Sequence, residues 1–199
     1  MSFRDFTLPK VLAAFDLELV EADLFSPVPP LPVREEFRAL LAEASAVVMA
    51  TSNEKARSEF FVAPLLLELR AVIDRKFGLF SGVEMNVDPE RGLTGVCDFL
   101  LAKVPLQTLL RGPVAAVVET KDERLSAGYG QCVAEMVAVR LFNRSVGEEP
   151  VAVHGVVTSG NCWKFLRLTG RSVTLDTPEY YVDNPGKIMG ILRAILMSP

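Results

Sequence analysis

The chain has 199 residues, half of them hydrophobic, with three cysteines and a formal net charge of −4, a size that suits one compact unit with a sizeable core. Its mean hydropathy of +0.29 is high, yet no apolar run reaches the ~18 residues that a membrane-spanning helix needs, so the excess hydrophobicity is assigned to a core or an oligomer interface. The acidic balance excludes indiscriminate coating of DNA, which relies on many Lys and Arg side chains neutralising phosphates, but it permits a local basic cleft.

The apolar stretch Val11–Phe15 is broken at once by Asp16, unlike the sustained core of a secretory signal. Cys97, Cys132 and Cys162 lie far apart in apolar or strand-like surroundings, which fits reduced, buried thiols in a cytoplasmic protein. A short helix-like opening is expected around Pro9–Glu21. The segment that follows, Ser26-Pro-Val-Pro-Pro-Leu-Pro-Val-Arg34, carries four prolines and reads as an extended connector.

Arg34–Ala50 places Phe37, Leu40, Leu41 and Ala44 at helical spacing. Thr51–Arg75 continues with Ser52 or Asn53 as the cap and Phe60, Phe61, Leu65, Leu69 and Val72 as its stripe, while Pro64 should bend or restart the helix. From Leu79 the texture changes. Leu79–Asp88 and Leu93–Lys103 read as strands joined by Pro89-Glu-Arg-Gly92. Val114–Lys121 reads as a strand apolar on both faces until its end, hence covered on both sides. A helix is expected over Gly130–Asn143, with Cys132, Met136 and Val139 as its stripe. Strands at Val151–Thr158, Cys162–Leu168 and Ser172–Leu175 come next, then a closing helix at Lys187–Met197. The domain reading is an N-terminal helical extension over 1–50, followed by an α/β domain over 51–199.

Three charged residues interrupt strands that otherwise read as core. Asp98 breaks Thr94–Leu101, and Glu119 and Lys121 end the run Val114-Ala-Ala-Val-Val118. Residues two apart on a strand share a face, so Glu119 and Lys121 point the same way. Two carboxylates on adjacent strands supply the hard oxygen ligands that Mg²⁺ prefers. A lysine beside them can orient or help deprotonate an attacking water and offset charge on a phosphate. The same residues also fit an ordinary Asp–Lys or Glu–Lys pair capping a sheet edge.

The order of these residues resembles the PD-(D/E)XK nuclease superfamily. It runs from a helix acid, Glu59 in Arg57-Ser-Glu-Phe-Phe-Val-Ala-Pro64, to Asp98 in Gly95-Val-Cys-Asp-Phe99, then Val118-Glu-Thr-Lys121, then Gln131 opening a helix in Gly128-Tyr-Gly-Gln-Cys132. Gly155-Val-Val-Thr-Ser-Gly-Asn-Cys-Trp-Lys-Phe165 is similar to a strand–turn–strand stretch in the nuclease region of type I restriction motor subunits. Asp98 follows a cysteine where the superfamily's name has proline. The resemblance, which spans roughly 53–168, implies a restriction-endonuclease-like mixed central sheet flanked by helices. It further implies Mg²⁺ bound by Asp98, Glu119 and the main-chain carbonyl of Thr120, Lys121 acting on the attacking water, and Gln131 and Glu59 as supporting residues. Glu54 or Glu68 stands as the alternative to Glu59.

The function expected from this is Mg²⁺-dependent hydrolysis of nucleic-acid phosphodiester bonds, with DNA the expected substrate and Lys55, Arg57, Lys103, Arg124 and Lys164 as phosphate contacts. The competing expectation is a non-catalytic module of the same fold, a relic or an oligomeric partner, serving a DNA-processing or defence system and keeping Asp98 and Lys121 as a salt bridge. His154 is the only histidine, so chemistry based on paired histidines or a Cys/His zinc cage is excluded, and a packed or surface role is expected for it. Trp163 and Phe165 alternate with Lys164 and Arg167; strand packing is expected for them ahead of nucleic-acid stacking.

Overall fold

The computed structural model describes every residue except Ser52, Arg75, Leu106, Gln107, Glu123 and Pro199. Its strands are β1 (Glu18–Ala22), β2 (Gly78–Asp88), β3 (Leu93–Ala102), β4 (Val114–Thr120), β5 (Val153–Thr158), β6 (Cys162–Thr169), β7 (Ser172–Asp176) and β8 (Tyr180–Tyr181). They form one mixed sheet in the order β1-β7-β6-β5-β4-β3-β2, with β8 paired to β6. Helices α1 (Leu8–Phe15), α2 (Glu35–Thr51), α3 (Glu54–Arg57), α4 (Ala63–Val72), α5 (Tyr129–Ser145) and α6 (Pro185–Met197) flank it. The fold is mixed α/β, and no helix among the described residues is long and apolar enough to cross a membrane.

Strand periodicity sorts the core into two layers. Phe99, Leu101, Ala116, Val118, Val156 and Phe165 face α2, α4 and α6. Leu100, Val117, Val157 and Leu166 face α1 and α5. Every residue of β4 is buried, as expected for an apolar strand with a helix layer on each side. The chain passes from β4 to β5 through α5, which allows these two strands to pair in parallel with Glu119 opposite Val157.

The N-terminal region departs from the sequence reading. Helix α1 stops at Phe15, with Asp16 in the left-handed region at φ 53°, and residues 18–22 form a strand parallel to β7 instead of continuing the helix. The extension is therefore only partly helical and contributes an edge to the sheet. The proline-rich connector then packs on α6, where Gly186 and Gly190 let the carbonyls of Leu31 and Pro29 approach so closely that a Cβ would strike them. This close backbone approach is a use of glycine that periodicity does not reveal.

Between residues 54 and 72 the chain stays helical. Asn53 caps it by accepting the Ala56 amide at 2.8 Å; Ser52, the other expected cap, lies outside the described residues. Pro64 sits in the first turn of α4, and a widened π-type stretch at Ser58–Val62 precedes it. The wider turns accommodate the missing proline N–H without breaking the rod. The short strand β8 has no counterpart in the sequence reading.

Candidate functional site

The site forms at the C-terminal end of β4. In the β3–β4 register Leu100 faces Val117 and Phe99 faces Val118, so the next residues in line are Asp98 and Glu119. Glu119 keeps the parity of Val117 and lies on the α5 side, whereas the alternation of β3 breaks at Asp98: Cys97 and Leu100 both belong to the α5-side core, and Asp98 lines a cleft with Glu54, Ser58 and Ala63 of the opposite layer. Regular pairing ends at this point. The Thr120 amide donates to Asp98 Oδ2 at 2.8 Å, which fixes one carboxylate oxygen of Asp98.

Glu119 is only 2% exposed. Its Oε1 accepts from Lys121 Nζ at 2.5 Å, and Lys121 Nζ also donates to Gln131 Oε1 at 3.1 Å. Burial, and then the negative charge of Asp98, push the Glu119 carboxyl up to about 7, against the pull of Lys121. Burial disfavours the Lys121 ammonium, but the adjoining Glu119 outweighs it and the net shift is upward. Lys121 thus remains a cation and pairs with Glu119, whereas the module reading had expected Asp98 as its partner.

The sequence reading missed Glu135. It sits one helical turn after Gln131 on α5, completely buried, and accepts from Gln131 Nε2 at 3.0 Å. Burial and the charge of Glu119 raise its carboxyl well above the usual range. The Oε2 atoms of Glu119 and Glu135 meet no N–H or hydroxyl donor, and the two carboxyls adjoin each other. Two carboxyls in so dry a place cannot both ionise. The signal for Glu135 was in the sequence: an acid four residues after Gln131, inside the otherwise apolar Cys132-Val-Ala-Glu-Met-Val-Ala-Val139.

Asp98 and Thr120 open onto a cleft of about 330 Å³ that Glu54, Ser58, Glu59 and Ser81 help to line. Glu59 is exposed and pairs with Lys55 at 3.6 Å across one helical turn, so it borders the cleft from its rim. Glu54 lies nearer the centre: burial raises its carboxyl, Lys121 pulls it down and Asp98 pushes it up. The other alternative, Glu68, is buried and held by Arg34, with Arg34 Nε at 2.9 Å from its Oε1.

The expected phosphate contacts scatter. Arg57 is buried and donates to the Ser159 carbonyl at 3.1 Å. Lys164 is buried and donates to the Thr177 carbonyl at 2.8 Å. Lys103 donates to the Ser198 carbonyl at 2.6 Å and adjoins Pro113, just before the start of β4, about 20 Å along the chain from Glu119 at ~3.3 Å per residue. Burial removes Arg57 and Lys164 from a nucleic-acid rim, and position removes Lys103; Lys55 and Arg124 are exposed.

His154 is packed in β5 near Phe25, and burial lowers its imidazole to about 4. Trp163 and Phe165 are core residues. The three cysteines are free, Cys97 and Cys132 buried and Cys162 half-buried. Among the described residues no three His, Cys, Asp or Glu side chains form a ready metal cage. A cation at this site would rest on two carboxylates, a main-chain carbonyl and water. No family model and no curated protein sequence matches the chain.

Proposed function

We propose that this protein is a Mg²⁺-dependent nuclease of the PD-(D/E)XK type, acting on nucleic-acid phosphodiester bonds with DNA the expected substrate, in a cytoplasmic setting. The observation that supports the reading is that Asp98, which accepts from the Thr120 amide, lies close enough for its charge to act on Glu119 at the end of β4, with Lys121 held by Glu119 and Gln131. A restriction-endonuclease-like form of the mixed sheet belongs to the same proposal.

The donor set suits a hard cation. Glu119 Oε2 is buried with no N–H or hydroxyl donor, Asp98 uses one oxygen on the Thr120 amide, and Thr120 follows Glu119 directly in sequence. Carboxylate, carbonyl and water oxygens are the ligands Mg²⁺ takes. Bound there, Mg²⁺ would supply Lewis-acid polarisation of a phosphoryl oxygen and a more acidic bound water.

The chain's own residues supply the rest. Lys121, kept as an ammonium by Glu119, orients a water and offsets charge on the attacked phosphate, and it does not serve as the base in this state. Gln131 holds the lysine head in place. The Thr120 amide steadies Asp98. The cleft beside Asp98 provides the space for the scissile group.

A second reading, a non-catalytic binding module that could assemble as an oligomer, is favoured by the acidic cleft: Glu54, Glu59 and Asp98 line it and Lys55 is the basic residue among its lining. Such a rim is poor at holding duplex phosphates. Metal-dependent cleavage of a panel of DNA and RNA substrates decides between them, with Lys121→Ala as the control. Cleavage that needs Mg²⁺ and vanishes in the variant supports the nuclease, and no cleavage of any substrate by the wild type supports the module.

A further inference from the structure

We infer that Glu135 is a positioning residue, which sets Lys121 in place by fixing the orientation of the Gln131 amide. For its effect on turnover the inference rests on the nuclease reading; for the placement of Lys121 it does not.

The relevant atoms form a directed chain. Glu135 Oε1 accepts from Gln131 Nε2 at 3.0 Å, and Gln131 Oε1 accepts from Lys121 Nζ at 3.1 Å. A glutamine amide has a donor end and an acceptor end that exchange places on a half-turn. Only one orientation serves here. With the amino group committed to Glu135, the carbonyl must face the ammonium; flipped, the amide would set its own N–H groups against Lys121.

The lysine needs such a constraint. Its four-carbon stem is flexible, and Glu54 offers a competing negative charge on the cleft side. Glu119 and Gln131 together grip the ammonium from two directions, and Glu135 makes the second grip possible. Glu135 itself is fully buried and does not reach the cleft; it adjoins the Glu119 carboxyl, and it sets the direction of the second grip on Lys121 through Gln131.

Packing alone does not account for an acid at this position. A fully buried carboxyl costs free energy unless it is hydrogen-bonded. Leucine would fill the same space on α5 between Cys132 and Val139 without that cost. The carboxyl is used by the polar chain that ends on Lys121.

The test measures acylation of the Lys121 ε-amine by acetic anhydride, followed by peptide mass spectrometry, with exposed Lys10 as the internal reference. The full chain is compared as wild type, Glu135→Gln and Glu135→Leu, each checked for a cooperative melt. Glu135→Leu is expected to raise Lys121 labelling about fivefold, the effect of one lost hydrogen bond. Glu135→Gln, whose carbonyl still accepts from Gln131, should label within about twofold of wild type on the same scale.

Unchanged labelling in Glu135→Leu overturns the inference, as does a Glu135→Gln variant that behaves like Glu135→Leu. If Glu135→Leu fails to fold, Gln131→Leu takes its place: it removes the relay itself, so wild-type labelling in that variant also overturns the inference. On a cleaved substrate, Glu135→Leu should lower kcat with little change in KM, and Glu135→Gln should restore it. The expected labelling pattern in a wild type that cleaves nothing supports the positioning role and overturns the nuclease reading alone.

Discussion

The Thr120 amide donates to the Asp98 carboxylate at 2.8 Å, just past the last regular pair of β3 and β4. This bond asks Asp98 for an acceptor oxygen and nothing more. Asp98→Asn retains that oxygen, so its stability should lie within about 1 kcal/mol of wild type, the scale of a single altered hydrogen bond. The variant also loses a negative charge beside Glu119, which relieves repulsion in the metal-free protein. Urea unfolding with and without Mg²⁺ checks this: wild type should gain stability from the cation and Asp98→Asn should not. A Mg²⁺ response equal to that of wild type would remove Asp98 from the metal set.

The ion pair between Lys121 and Glu119 places the larger stability cost elsewhere. Lys121→Met leaves a nearly buried carboxylate facing Asp98 with no cation. Stranding one partner of a buried pair costs about 3–5 kcal/mol, and the partial exposure of Lys121 puts the expected loss near the low end of that range. Glu119→Gln combined with Lys121→Met removes both charges and should recover at least about 1 kcal/mol of it, as coupled neighbours do. A double-mutant cycle measured by denaturant unfolding at pH 8 reads the coupling; strictly additive losses would contradict the pairing.

His154 makes a prediction in pH. Burial lowers its imidazole from 6.5 to about 4. As pH falls through 6.5 the unfolded chain takes up a proton that the folded chain refuses until about 4. The stability from this residue is therefore complete above pH ~6.5 and is lost on acidification toward ~4, a change of order 3 kcal/mol. Glu119, raised to about 7, acts in the opposite sense: the folded chain binds its proton more readily, so stability falls as pH rises from the ordinary carboxylate range toward 7. Comparing wild type with His154→Gln isolates the histidine, and the variant should lose less stability between pH 7 and pH 5.

Gly190 tests the connector. Alanine is the better helix former by about 1 kcal/mol in an exposed site, yet its Cβ would strike the Pro29 carbonyl. Gly190→Ala should therefore destabilise by about 1–3 kcal/mol, the usual cost of overpacking. A raised melting temperature in this variant would mean that the connector leaves α6 readily.

Much of the architecture was legible because local periodicity is a local property. Alternation on β2 and β3, the unbroken apolar run of β4 and the helical stripe of α2 locate those elements to within a few residues. The parity of Glu119 and Lys121 followed from the strand repeat alone. Edge strand β1 was not legible in that way. It is short and mostly exposed, and it is a strand because β7 lies alongside it. An edge of that kind is made by its neighbour, so Pro9–Glu21 was misread as helical throughout.

The sequence by itself determined that an α/β chain would bring an acid on one strand and an acid–lysine pair on another to the boundary of its core, because residue spacing dictates which side chains share a face within an element. Only the tertiary structure decided which elements are neighbours. It set Asp98 against the Thr120 amide, gave Lys121 to Glu119 and Gln131, and brought buried Glu135 beneath them. It also turned Arg57 and Lys164 inward to main-chain carbonyls. The physical reason is that a charge buried away from water must find a partner within hydrogen-bond reach, and that partner is supplied by whichever distant segment the packing delivers.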